Sequence, residues 1–180
     1  MRFETRKAAA AAVTAAVYAI LTIVLAPVSF GPLQFRVAEA LCILPFFMPC
    51  TVSGLFLGCL IANIFSGNIL DIIFGSAATL LSCALIARLG KGERTAPKKI
   101  LACLVPAPVN ALIVGAVITK GYMGLDIFTH GGAFLLNAGE VCLGELGVML
   151  IIGLPLMLYL PRRNFFNDFV HRVNFGGYHE

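Results

Sequence analysis

VAEALCILPFFMPCTVSGLFLGCLIANIF, residues 37–65, carries a single charged side chain, Glu39, in an otherwise apolar run. As one unbroken helix it would be about 44 Å long at 1.5 Å per residue. That overshoots the roughly 30 Å hydrocarbon core of a bilayer. Pro45 and Pro49 fall near its middle. Proline lacks a backbone donor and disfavours the helical conformation of the residue before it. The reading is therefore two short helices, about 37–48 and 51–65, joined by a tight turn at Met48-Pro49-Cys50. The choice sets the parity of the whole chain, because one helix or two decides which side of a membrane every later loop occupies.

Outward from this stretch the chain has the composition of a membrane protein. It is 59% hydrophobic and 12% charged over 180 residues, with a mean hydropathy of +0.94. Soluble domains carry roughly 25% charged residues. Further apolar runs of spanning length cover about 8–26, 70–88, 98–119 and 136–160. Pro27 and Ser29-Phe30-Gly31-Pro32 end the first, and Pro161-Arg162-Arg163 ends the last. The expected architecture is all-α, an integral membrane bundle of six transmembrane helices in residues 1–163, followed by a hydrophilic tail at 164–180. With six spans, Arg2, Arg6, Lys7, Arg88, Lys91, Arg94, Lys98, Lys99, Arg162, Arg163 and Arg172 share one side, and only Arg36 and Lys120 remain on the other. Eleven cations against two places both termini in the cytoplasm by the positive-inside rule. The net charge of +4 is thus a topology signal and gives no reason to expect nucleic acid as a partner.

Ionisable and amide side chains within such spans need partners. Arg36 and Glu39 lie at the outer end of the second span. They either pair along one helix face or each meets a ligand. Asn63 comes late in the third span. Asp71 opens the fourth, where it suits either a helix N-terminus or a ligand. Asn110 is mid-span after Pro106 and Pro108. Asn137 opens the sixth span, on the same face as Glu140. Glu140 and Glu145 are separated by about 140° around a helix, so only one of them can point squarely into a given pocket. Phe30 and Phe35 flank the Gly-Pro turn as interface anchors or as faces for a flat ring, with Gln34 between them. In the first span Ala8, Ala12 and Ala16 repeat every four residues, as do Ala11, Ala15 and Ala19, a spacing that lets another helix approach closely.

Several chemistries have no residues to carry them. The six cysteines are scattered through apolar runs without a CxxC or Cys/His grouping, so neither a metal nor a disulfide is expected. There is no GxxxxGK[ST] phosphate loop, no HExxH and no nucleophile dyad. Neither an enzyme nor a cofactor is expected.

Six short spans, an alanine-rich first helix and the absence of an ATPase motif resemble the substrate-binding S-components of energy-coupling factor (ECF) transporters. More closely, FGPLQFRVAEAL (30–41), LPFF (44–47), GLFLGCLIAN (54–63), LDIIFGSAATLL (70–81), PVNALIVG (108–115) and LNAGEVCLGE (136–145) with IGLPL (152–156) are similar to the queuosine-precursor transporter family. The resemblance implies a bacterial cell-membrane protein that binds 7-cyano- or 7-aminomethyl-7-deazaguanine, or queuine. It implies as partners a transmembrane coupling subunit, contacted by Ala8, Ala12 and Ala16, and two ATPase subunits. It implies a substrate site drawn from Phe30, Gln34, Phe35, Arg36, Glu39, Asn63, Asp71, Asn110, Asn137, Glu140 and Glu145. Glu145 fits the family's Gly-Glu pair, whereas relatives carry a small residue at the position of Glu140. Glu39 or Glu145 would read the guanine-like edge, supported by Arg36 and Asn137. The alternatives are an S-component for another vitamin or nucleobase-like nutrient, and a stand-alone proton-coupled carrier using Glu140 or Glu145.

Overall fold

A computed structural model of the chain describes residues 3–31 and 33–175. Arg2, Pro32 and residues 176–180, all used in the reading above, lie outside them. The described residues form an all-α fold, 82% helix with no strand among them. The helices are α1 (Phe3–Val24), α2 (Val37–Phe47), α3 (Thr51–Ile64), α4 (Asp71–Leu89), α5 (Ala96–Tyr122), α6 (Gly131–Arg162) and α7 (Asn164–Phe175). Four of them, α1, α4, α5 and α6, are long and apolar enough to cross a bilayer, and α2 and α3 are shorter apolar helices.

The split of 37–65 falls where the prolines put it. α2 is wound as a tight 3₁₀ helix over Val37–Ile43 and ends in one α turn, Leu44–Phe47. Met48 leaves the helical conformation and α3 starts at Thr51, whose hydroxyl donates to the Met48 carbonyl at 2.8 Å. Two long helices are broken by the same chemistry. α5 bends at Val105 before Pro106, and α6 winds into a π turn at Met149–Gly153 ahead of Pro155. Its start differs from the sequence expectation. α6 begins at Gly131, so Asn137 sits nearly two turns inside the helix.

Small residues set the packing. Alanines 11 and 15 of α1 lie directly on glycines 54 and 58 of α3. A Cβ on Gly54 would run into the Ala11 carbonyl, and one on Gly58 would meet the Ala15 carbonyl at 2.6 Å. Ala11 faces Gly54 and Ala15 faces Gly58, so α1 and α3 run parallel. α5 and α6 meet similarly, with Gly115 against Ala138. Of the two alanine stripes on α1, the one through Ala11 and Ala15 is taken up inside the molecule. Ala8, Ala12 and Ala16, on the adjoining face, remain exposed.

The bundle has two unlike ends. One holds the larger apolar core, which includes Phe46, Phe47, Leu55, Ile86, Met149, Met157 and Val173. The start of α1 and the end of α7 lie together there, since Arg6 and Arg172 line one groove. The stretch read as a hydrophilic tail is, over residues 164–175, an amphipathic helix whose Val170 and Val173 enter that core. The other end has a smaller apolar cluster of Ala78, Val114 and Val141 and gathers most of the buried polar side chains. Many large apolar residues on the outer faces are exposed, among them Val13, Ile20, Leu112, Leu143 and Ile151. Such a surface requires a lipid solvent, and the protein is a multi-pass membrane protein.

Candidate functional site

The segment between α1 and α2 builds the polar end. It dips between the helices closely enough that Gly144 of α6 lies directly on the Leu33 carbonyl, leaving no room for a side chain. Gln34 has φ +49°, the only non-glycine residue with positive φ among the described residues. L side chains enter that region at a cost of about 1–3 kcal/mol, and such strain concentrates at ligand clamps and switch regions. Here two local bonds enforce it, Gln34 N–H to the Gly31 carbonyl (2.9 Å) and Arg36 N–H to the Gln34 carbonyl (2.8 Å).

Arg36 is the centre of the first polar group and is 4% exposed. It precedes α2 in an extended conformation and does not share a helix face with Glu39. Its ion-pair partner is Asp71, at 3.4 Å. Nη1 donates to Asn63 Oδ1 (3.2 Å) and Nε to Gln34 Oε1 (3.0 Å), while the Phe30 ring lies 5.3 Å from the guanidinium carbon. Asn63 returns its own donors to the Asp71 carbonyl and Ser76 Oγ. A second, deeper group surrounds Glu39. Oε1 accepts from Tyr18 and from Thr79 (3.2 Å), and Oε2 accepts from Cys42 Sγ (3.0 Å). Both oxygens of Glu39 thus have protein partners. Two cavities lie at this end among the described residues, and neither Glu39 nor Asn63 nor Asp71 lines them.

The outer of those cavities has a volume of about 480 Å³, lined by Phe30, Gln34, Tyr122, Met123, Asn137 and Glu140 among others. That lies within the roughly 300–1,000 Å³ usual for small-molecule pockets. Asn137 donates to Thr119 Oγ1 (2.9 Å) and Glu140 is exposed at the rim. Beneath it is a void of about 10 Å³ bounded by Gln34, Arg36, Asn110, Val114, Val141 and Glu145, which is no larger than one water. Glu145 is 2% exposed and receives a bond from Asn110 Nδ2 (3.0 Å). No cation lies within 4.0 Å of it among the described residues. Asn110 Oδ1 is buried with no partner. A carboxylate can accept two adjacent N–H groups, and an amide oxygen supplies one further acceptor.

Seven of the eleven sequence-selected side chains therefore line the two cavities: Phe30, Gln34, Arg36, Asn110, Asn137, Glu140 and Glu145. Glu39, Asn63 and Asp71 form the buried support below. Phe35 packs with its ring edge at Gly147 of α6. Tyr18, Thr119, Tyr122 and Met123 were not singled out. A tyrosine in the middle of an alanine-rich span was the usable signal, because its hydroxyl needs a partner in an apolar setting.

A larger cavity, about 620 Å³, lies at the opposite end of the bundle and is walled mainly by aliphatic and aromatic side chains. It lacks convergent buried polar groups of the kind that orient a heterocycle. The cavities at the polar end are the better site.

A polar cleft set into an apolar helical bundle is the arrangement of a membrane protein that binds a polar small molecule. Residues 8–162 match the family model described as QueT transporter, and the chain belongs to that family. One relative is the protein named "Queuosine precursor transporter QueT" from Lactococcus lactis subsp. cremoris (strain MG1363). It is 37% identical over 76 residues, which are 41% of this chain and 45% of the relative. The match thus spans somewhat less than half of that relative's length. No solved structure matches the chain.

Proposed function

We propose that this protein is the substrate-binding transmembrane subunit of an ATP-driven ECF-type importer. It captures a 7-deazaguanine queuosine precursor (7-cyano- or 7-aminomethyl-7-deazaguanine, or queuine) outside the cell and delivers it inward. Family membership and the relative's name support the class of substrate. The observation that carries the reading is the unpaired Asn110 Oδ1 beside the buried Glu145, in a small void next to the larger cavity at the polar end. Glu145 accepts the adjacent N–H and amine donors of the guanine-like edge, and the Asn110 oxygen takes a further donor. Arg36 or Gln34 donates to the ring carbonyl, and Phe30 covers one face. Gln34 bounds both the void and the larger cavity, and its strained backbone makes a displacement that widens the void less costly.

In this reading residues 1–163 cross the membrane six times and both termini are cytoplasmic. Support comes from the break at 48–50, from the parallel course of α1 and α3, and from the cations gathered where α1 begins. The exposed Ala8, Ala12 and Ala16 stripe faces the coupling subunit, and two ATPase subunits supply the energy, so the chain itself is no enzyme.

Native mass spectrometry of the purified protein, with the bound small molecule identified by fragmentation, tests the substrate. Glu145→Gln should weaken its binding more than tenfold, on the scale of a lost charged hydrogen bond. Unchanged affinity in that variant refutes the assignment. A second reading, a stand-alone proton-coupled carrier, is favoured by Glu145 having an amide partner but no cation. Uptake by vesicles containing this chain alone, driven by a proton gradient, would establish it and refute the first.

A further inference from the structure

The cavity at the cation-rich end is unused by the reading above. It is a groove between α1, α2 and α7, floored by side chains such as Val13, Leu44 and Phe169, with Arg6 and Arg172 at its edge. Neither guanidinium has a carboxylate within 4.0 Å among the described residues. The carboxylates on the same two helices do not line the groove: Glu4 is paired with Lys7 at 3.4 Å, and Asp168 points elsewhere. Val13 is 63% exposed and Phe169 41% exposed, so the wall is open to whatever surrounds the bundle.

α7 sets the depth of this groove. It is amphipathic, follows directly on Arg162 and Arg163 at the end of α6, and leaves Phe165 and Phe175 almost bare. A helix of that kind lies in the plane of the membrane interface. Its arginine is then at headgroup level while the groove wall reaches into the acyl region. Two unpaired cations above an apolar slot complement one molecule that carries both an anionic head and a hydrocarbon tail. Cation-lined pockets between membrane helices bind anionic headgroups in this way.

We propose that the groove seats one anionic phospholipid of the surrounding bilayer, its phosphate between Arg6 and Arg172 and one acyl chain along α1 and α2. The lipid fills the gap between α7 and α1 and ties the C-terminal helix to the bundle. This does not depend on which substrate the polar end binds.

The test uses the full-length protein in detergent, mixed with equal amounts of dioleoyl phosphatidylglycerol and dioleoyl phosphatidylcholine and examined by native mass spectrometry. The phosphatidylglycerol adduct should be retained at least tenfold over the phosphatidylcholine adduct, since each nearby cation contributes a severalfold preference. The paired substitution Arg6→Gln with Arg172→Gln should bring the two lipids level. Lys98→Gln with Lys99→Gln, which removes two cations outside the groove, should leave the preference intact. Ala9→Phe, which narrows the slot without touching charge, should cut retention of both lipids. Equal retention by the wild-type protein overturns the proposal. So does an unchanged preference after the arginine substitutions. A photo-crosslinker at Val13 that captures polypeptide and no lipid in membranes would assign the groove to a protein neighbour and overturn it as well.

Discussion

Replacing Asp71 by leucine isolates the strongest electrostatic commitment in the bundle. Arg36 and Asp71 are 4% and 1% exposed, and among the described residues Asp71 is the only carboxylate within 4.0 Å of the guanidinium. Removing one partner of a buried ion pair costs about 3–5 kcal/mol, because the remaining charge is left uncompensated. For a chain of this size, each kcal/mol shifts the unfolding midpoint by roughly 2–4 °C. Asp71→Leu should therefore lower the midpoint by roughly 6–20 °C. Adding Arg36→Met removes the stranded charge and should restore at least half of that loss. The restoration is incomplete because Asn63 Oδ1 and Gln34 Oε1 then lose their donor. The chain supplies its own reporter: Cys42, Cys59, Cys83 and Cys103 are buried, so a thiol-reactive fluorophore reads their exposure on heating in detergent. A fall of less than 2 °C for the single variant, or strict additivity in the double, would show that water reaches Arg36 and would refute the reasoning.

Glu39→Gln should lower stability by about 1–3 kcal/mol, through the lost acceptor for Tyr18, Thr79 or Cys42, while changing substrate affinity less than threefold; thermal unfolding and equilibrium binding on one sample separate the two effects. Gly54→Ala should abolish well-packed protein or lower its unfolding midpoint steeply, since the new methyl runs into the Ala11 backbone, whereas Gly139→Ala, with open space around its Cα, should leave the midpoint within a degree or two; fluorescence-detected gel filtration with heating checks both. At Asp126 the backbone N–H groups of Thr129 and Phe128 hold the carboxyl below its ordinary value of 3.8. A depressed pKa stabilises the loop above the unfolded value and loses that effect as pH falls through the folded one. Exchange of the Phe128 and Thr129 amides, corrected for intrinsic rate, should accelerate only below about pH 4, and in Asp126→Ala it should be fast at all pH values.

The division of 37–65 was readable because two prolines leave few options in an apolar run, and the helix interiors followed from length alone. The 3₁₀ winding of α2 and the π turns in α4 and α5 were not readable, since no local breaker marks them and short 3₁₀ and π stretches are set by their surroundings. Among site residues, rarity was the signal. A charge or amide in an apolar span must be partnered, and that found Arg36, Asp71, Asn63, Asn110 and Glu145. The partners themselves were out of reach. Arg36 is three residues from Glu39 and 35 from Asp71, yet it pairs with Asp71, because the segment before α2 is extended and turns the guanidinium toward α4. Glu39 looked as available as Glu145. Only the third dimension places Tyr18, Thr79 and Cys42 around one carboxylate and a lone amide beside the other.

Phe47 ends α2 with a carbonyl that no helical N–H can reach. Arg94, from the link between α4 and α5, donates to it at 3.3 Å, and Asn174 on the final helix donates at 2.8 Å. Three pieces of chain far apart in sequence are laced through a single oxygen atom. A polypeptide trimmed back to its last apolar run would undo that knot and uncover Phe47 as well, since Phe166 stacks edge-on against its ring. Fusion partners and affinity handles joined near residue 175 would pull on the same thread, which makes the far side of the molecule the gentler place to attach them.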